Sequence, residues 1–249
     1  MRSKLRIFCL GFIILVLGTT SAWGEDISEI ARAQQLYNKN EFKAVAEIYE
    51  REMASGKING HRYFNLGNTY FRVGDLPRAI LNFAKAQIYL PRDEDVAANL
   101  EYVLNQTQNG LDARLTSSLD SILFWSGDFN LKEHLLALLF LNLLFWASLA
   151  TGLHLRSPAS QTTRRILLVL LILAVISTGF RWHRETDTSL GVVRSTQAGV
   201  HSGWNETTTV LFQLHQGTLV SLVQAKEGWY ELELTDGQKG WIPQGDIVR

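Results

Sequence analysis

Two long apolar runs, Leu135 to Leu155 and Ile166 to Trp182, stand in the middle of a chain whose other segments alternate apolar and polar positions. Each run is long enough for a helix to cross, or nearly cross, a hydrocarbon core of ~30 Å at ~1.5 Å rise per residue. A soluble core helix would show polar residues at every third or fourth position, and these runs do not. The pair predicts a transmembrane hairpin with spans 133–155 and 165–182 and a loop at 156–164. Whatever precedes and follows such a hairpin lies on one side of the membrane.

Upstream, the apolar spacing is helical and the breaks are regular. Helices are expected over Ile27–Asn38, Glu41–Ala54, Gly60–Val73, Leu76–Leu90 and Asp93–Gln106. Asn38-Lys39-Asn40, Gly56, Gly74-Asp75 and Pro91 supply the stops between them. Tyr63, Leu66, Gly67, Tyr70, Ala79, Phe83, Ala86 and Pro91 fall at the offsets of a tetratricopeptide repeat (TPR), whose period is ~34 residues. Small Gly67 and Ala79 let two helices approach, Tyr70 and Phe83 fill the wedge beside them, and Pro91 turns the chain. Tyr37 and Ala46 repeat the spacing of Tyr70 and Ala79, with the expected small residue displaced to Ala33. Residues 25–110 thus read as two helix pairs and a terminal helix. In such a stack the first helix of each pair lines the concave face, here His61, Phe64, Asn68, Phe71 and Arg72. Asn68 and Arg72 read equally as a peptide-binding pair or as a solvated polar face.

Residues 111–132 place Leu111, Leu115, Leu119 and Ile122 at helical spacing, followed by Phe124, Trp125 and Phe129. An interfacial amphipathic helix or an extension of the stack fits this stretch. The first residues have the layout of a secretory signal, residues 1–24. Arg2, Lys4 and Arg6 precede an apolar stretch from Ile7 to Gly18, and Ala22 and Gly24 stand at −3 and −1 of a cut before Glu25. An uncleaved anchor would leave the same topology. The hairpin loop carries Arg156, Arg164 and Arg165 and no acid, so it is expected in the cytoplasm. Both soluble segments are then periplasmic, on an inner membrane crossed twice. Tethers of a few residues would hold them near a shared partner.

Asn142 is the strongly polar side chain within the spans. Counting from the loop, it lies about as deep as Thr178, ~20 Å in at 1.5 Å per residue. A hydrogen bond from Asn142 to Thr178 or Ser177 is expected, of ~0.6–2 kcal/mol in lipid.

From Leu190 to Arg249 the period changes to two. Gly191–Val193, Thr209–Leu214, Leu219–Val223, Trp229–Leu234 and Gly240–Ile242 read as short strands, with Gly203, Gly217, Gly228, Asp236-Gly237 and Gly245 at the corners. That predicts a small all-β barrel over 189–249. The succession Val200-His-Ser-Gly203, Leu214–Gly217, Gly228-Trp-Tyr230, Asp236-Gly237 and Gly240-Trp-Ile-Pro243 resembles a bacterial SH3-type domain. The resemblance implies binding of cell-wall peptides or proteins and no reaction. Trp204, Trp229, Tyr230 and Trp241 are the candidate ligand surface, with Trp229 and Trp241 expected to lie partly in the core.

Composition narrows function by exclusion. The net charge is zero, with 24 basic and 24 acidic residues, so nothing points to nucleic acid. Cys9, the single cysteine, falls inside the signal, so no disulfide framework or Cys-ligated metal is expected. The six histidines are scattered, and no HExxH pair, GxSxG elbow or phosphate loop occurs. The chain reads as no enzyme, with no cofactor and no metal.

The order of signal, TPR stack, membrane hairpin and SH3-type domain resembles the TPR/SH3, BatE-like branch of the Bat (Bacteroides aerotolerance) group. Ala98–Val103 after Pro91 and the Gly127–Asn142 approach to the membrane add to the similarity. The resemblance implies a periplasmic scaffold working beside MoxR-type ATPases, with von Willebrand A-domain membrane proteins or other envelope proteins as partners. The alternative is a membrane-tethered peptidoglycan-binding protein.

Overall fold

The computed structural model describes residues 27–107, 127–152, 158–187, 189–234 and 236–249. The expected signal at 1–24, and residues 111–126 of the expected amphipathic segment, lie outside the described residues. Among the described residues there are seven α-helices and seven strands.

Five helices form the N-terminal stack: α1 (Ile27–Asn38), α2 (Phe42–Ala54), α3 (Gly60–Val73), α4 (Leu76–Tyr89) and α5 (Glu94–Leu104). Three of the starts are set by side-chain caps, in which Asn59, Asp75 and Asp93 accept backbone N–H bonds from the first turns of α3, α4 and α5. Between α3 and α4, Gly67 faces the ring of Phe83, and a Cβ there would stand 2.7 Å from it. Any larger residue would overpack this crossing. Ala79, Phe83, Ala86, Leu66 and Tyr70 are all buried in the same stack. Tyr63 packs on Tyr89 with ring centroids 5.6 Å apart, and Pro91 follows directly on the end of α4 at Leu90.

Two further helices, α6 (Leu131–Gly152) and α7 (Pro158–Thr186), pack against each other as a hairpin. Both are long and apolar enough to cross a membrane. Their apolar side chains face outward: Leu136, Phe140, Ile166, Val169, Val175 and Ile176 are each more than half exposed. An outward apolar surface of that length is the reverse of a soluble bundle. The second helix starts at Pro158, so Gln161 to Arg165 are helical and the connecting loop is shorter than the expected 156–164. Proline at a helix start needs no N–H partner and presets φ.

That earlier start overturns the expected Asn142 contact. It carries the Ser177-Thr178 turn past Asn142 to the level of His134. Ser177 Oγ lies 3.1 Å from His134 Nε2, while Thr178 Oγ1 donates to the carbonyl of Ala174 at 2.7 Å. A cross-helix polar contact forms instead at His134, whose Nδ1 meets the carbonyl of Asn130 at 3.0 Å and so carries the proton.

Where the hairpin ends, it is locked to the stack. Arg181, 1% exposed, donates to the carbonyl of Ile88 at the end of α4 and pairs with Glu185 at 3.3 Å. Tyr89 donates its hydroxyl to the carbonyl of Glu185 at 2.9 Å. Burial, with Tyr63 and Glu185 beside it, pushes the Tyr89 hydroxyl up to about 12, so it stays a donor. Glu185 Oε1 also accepts the N–H of Leu131 at 3.2 Å, and Arg92 pairs with Glu133.

The C-terminal strands are β1 (Leu190–Val193), β2 (Gln197–His201), β3 (Val210–His215), β4 (Leu219–Lys226), β5 (Trp229–Glu233), β6 (Lys239–Pro243) and β7 (Ile247–Val248). They form one antiparallel sheet in the order β3-β2-β6-β5-β4-β1-β7. Val193, Ala198, Val200, Leu214, Val220, Leu232 and Ile242 make its own core. Leu190, Val192 and Leu219 join the core of the helical stack instead, with Ile80, Leu81 and Leu104. Gly217, at φ +88°, sits where a Cβ would meet Thr107 at 2.4 Å and Ile80 at 3.0 Å. The barrel thus docks directly on the helices, rather than hanging from them on a tether.

Inside the stack, Arg62 Nε donates to Glu52 at 3.0 Å and Lys57 Nζ to the other oxygen at 3.1 Å. Burial pushes the Glu52 carboxyl up, but these two partners outweigh it and hold the group below its ordinary 4.5. A depressed carboxyl stabilises the fold fully above about that pH, and the contribution is lost as pH falls through the lower folded value. Glu52→Gln should lower stability at neutral pH by roughly 1.5–3 kcal/mol. It should also flatten the loss of stability below pH ~4.5, which thermal melts of both proteins across the acid range will show.

Candidate functional site

In an antiparallel sheet, directly opposed residues share a face. His201 opposes both Val210 and Trp241, Trp241 opposes Glu231, and Glu231 opposes Gln224, which makes one row across four neighbouring strands and β3. A second row reads Lys226, Trp229 and Pro243. Leu232, Ile242 and Tyr230 have the other parity and pack on the barrel core. His201, Trp229 and Trp241 therefore lie on the outer face.

That placement revises the reading of the tryptophans. Trp229 and Trp241 are buried, at 8% and 7% exposed, yet neither belongs to the barrel core. Each has a ring packed on it, Trp241 that of Trp204 in the loop from Ser202 to Thr209 and Trp229 that of His201. Trp204, in that loop, stands edge-on to Trp241 with centroids 5.5 Å apart, and His201 does the same to Trp229 at 5.2 Å. Such T-shaped pairs set the negative face of one ring against the positive edge of another. Tyr230, expected on the same surface, points the other way, and the Arg249 guanidinium lies 5.7 Å from its ring.

The loop is braced from within. Asn205 Oδ1 accepts from the N–H and hydroxyl of Thr207, at 3.1 and 2.7 Å, and Thr208 Oγ1 donates to the Asn205 carbonyl at 2.7 Å. His201 Nδ1 donates to the carbonyl of Thr208 at 3.1 Å, which fixes its tautomer and leaves Nε2 as an acceptor. Trp204 is therefore presented in a set position, 39% exposed, before any ligand arrives.

Lys226 completes the site, and nothing in the spacing of the sequence marks it. It faces Trp229 because Glu227 and Gly228, at φ 48° and 83°, close a two-residue hairpin between β4 and β5. From there its Nζ lies 3.4 Å from the centre of the Trp204 ring. Beside it, Gln224 Nε2 donates to Glu231 at 2.6 Å. The site offers one exposed indole, one ammonium, one carboxylate and one imidazole acceptor. Its chemistry suits recognition of an extended peptide through stacking and a few polar contacts.

A bacterial SH3 domain is found at residues 196–248. The match spans β2 to β7 and contains every residue of the aromatic face. No curated protein matches the chain.

The stack's candidate pair is differently placed. Asn68 Oδ1 accepts from Asn99 of α5 at 3.0 Å, and the Arg72 guanidinium rests 5.1 Å from the ring of Phe42 on α2. Phe64 packs on Phe83, and Phe71 on Tyr102, with centroids 5.9 and 5.7 Å apart. Asn68 and Arg72 hold neighbouring helices and do not converge on one point. Among the described residues, no group of three or more His, Cys, Asp or Glu could hold a metal ion.

The contact between Trp204 and Trp241 should be measurable as a coupling. Trp204→Ala, Trp241→Phe and the double variant should give unfolding free energies that depart from additivity by about 0.5–1.5 kcal/mol. Additive effects would show that the loop covers Trp241 without binding to it.

Proposed function

We propose that this chain is a non-enzymatic membrane scaffold whose SH3 domain binds a protein partner through its outer aromatic face. One observation carries the reading. Trp229, Trp241, His201 and Trp204 stack on the outer face of the sheet, apart from the barrel core, and Trp204 alone of the tryptophans is held exposed there by a braced loop. A barrel that needed Trp204 only for stability would bury it. The match to the bacterial SH3 domain family supports binding of a protein or of cell wall, and the exposed Trp204 with Lys226 and Glu231 on the same face favours protein.

The helical stack is read as a tetratricopeptide-type array, supported by the approach of Gly67 to Phe83 and the burial of Ala79 and Ala86. The hairpin α6–α7 is read as its membrane anchor, supported by the outward apolar side chains of both helices. With the arginine-bearing end of the hairpin in the cytoplasm, stack and SH3 domain face the periplasm. The resemblance in module order to the Bat group extends the proposal to a partner class, von Willebrand A-domain membrane proteins.

A photoreactive amino acid at Val210, beside the aromatic face, should crosslink the full-length protein in its native membrane to a discrete protein. Trp204→Ala should reduce that adduct several-fold. Crosslinks that sediment with purified sacculi, and no protein adduct, would reverse the assignment in favour of the wall. Topology is tested separately. A reporter inserted at Ser160 should read cytoplasmic and one fused after Arg249 should read periplasmic; the opposite pattern would overturn the orientation.

A further inference from the structure

The ammonium of Lys226 has an aromatic ring as its neighbour where a surface lysine would ordinarily meet water or a carboxylate. Among the described residues it has no ion-pair partner, and its Nζ stands 3.4 Å from the centre of the Trp204 ring. Glu231 lies on the same face, one strand over from Trp241 and two residues from Trp229. The module as a whole is acidic: from Ser189 to Arg249 it carries Arg194, Lys226, Lys239 and Arg249 against Glu206, Glu227, Glu231, Glu233, Asp236 and Asp246. A cation over an indole face gains from the ring quadrupole, and more so when a carboxylate and an overall negative field stand nearby.

We propose that the Trp204 face is a subsite for a primary-amine side chain of a bound peptide, and that Lys226 occupies it in the free protein as a built-in competitor. The inference rests on the peptide-binding reading of the aromatic face and names the chemistry of that ligand. The geometry supplies both halves. Trp204 is fixed by its loop, so the ring does not follow the lysine when the lysine leaves. Lys226 is exposed, at the end of β4 on a flexible four-carbon stem, and withdraws into solvent without disturbing the barrel. An incoming lysine side chain would exchange one cation–π contact for another, so the free protein should bind such peptides less tightly than its aromatic face allows. A neutral or acidic side chain has no such exchange to offer and would leave Lys226 in place.

The test uses the full-length protein in detergent micelles and a short glycine peptide with one central lysine, alongside its norleucine counterpart. Affinities are read by isothermal titration. Lys226→Ala should tighten the lysine peptide by about two- to five-fold, the strength of one exposed cation–π contact, and leave the norleucine peptide unchanged. Lys226→Arg should keep the wild-type affinity, because a guanidinium stacks on the same ring. Trp204→Ala should abolish the preference for lysine over norleucine. If Lys226→Ala weakens the lysine peptide, or shifts both peptides equally, the competitor role is wrong while peptide binding at the face stands. If neither peptide binds the wild type or Lys226→Ala, and Trp204→Ala changes nothing, the peptide-binding reading of the face fails and the subsite with it.

Discussion

Burial of helix α4 on several sides holds this molecule together. One flank of α4 packs on α3 through Ala79, Phe83 and Ala86, and Ile80 and Leu81 belong to a core that continues into Leu190, Val192 and Leu219 of the barrel. At its end, Ile88 and Tyr89 receive or give hydrogen bonds to the last turn of α7. Apolar burial supplies most of the stabilisation, because each fully buried Leu, Ile or Phe contributes about 1.5–3 kcal/mol relative to exposure. A change that emptied part of this core would loosen the stack and the barrel together.

The polar contacts at the α4–α7 junction act differently. Arg181 is nearly inaccessible, and a guanidinium taken from water is tolerable only with its partners in place. Glu185 serves at once Arg181, the N–H of Leu131 and, through its carbonyl, Tyr89. Such a network adds little net stability compared with apolar packing, but it admits few alternative arrangements. It fixes where the apolar hairpin meets the stack, and therefore how far the barrel stands from the hairpin.

Most of the architecture was legible because its signals are periodic. Helices α1 and α3 begin and end at the residues where spacing and breaks place them, α2, α4 and α5 differ by one or two residues, and α7 starts seven residues before the expected span. Strands β2 and β7 were missed: β2 lies among polar residues and glycine, and β7 is two residues long. The hairpin register was misjudged because Arg164 and Arg165 look like loop residues while they sit inside α7, which starts at Pro158. In the site, tryptophans announce themselves by type, but the face they occupy depends on strand parity. A bulge in β4 between Leu222 and Gln224 shifts that parity for Gln224 and Lys226, and no residue pattern reveals it. Lys226 was invisible for the same reason, since only the turn at Glu227-Gly228 brings it across from Trp229.

The docking of the barrel on α4, with Gly217 against Thr107 and Ile80, makes the molecule a caliper. Two recognition surfaces on slack linkers would accept partners of many shapes, each second contact gaining from high local concentration. Here the gap between the inner wall of the helices and the Trp204 ring is set by side-chain packing. On the proposed scaffold reading, a partner that reached both would have to match that gap. On that reading, this single glycine-lined contact would add selection by span to selection by sequence.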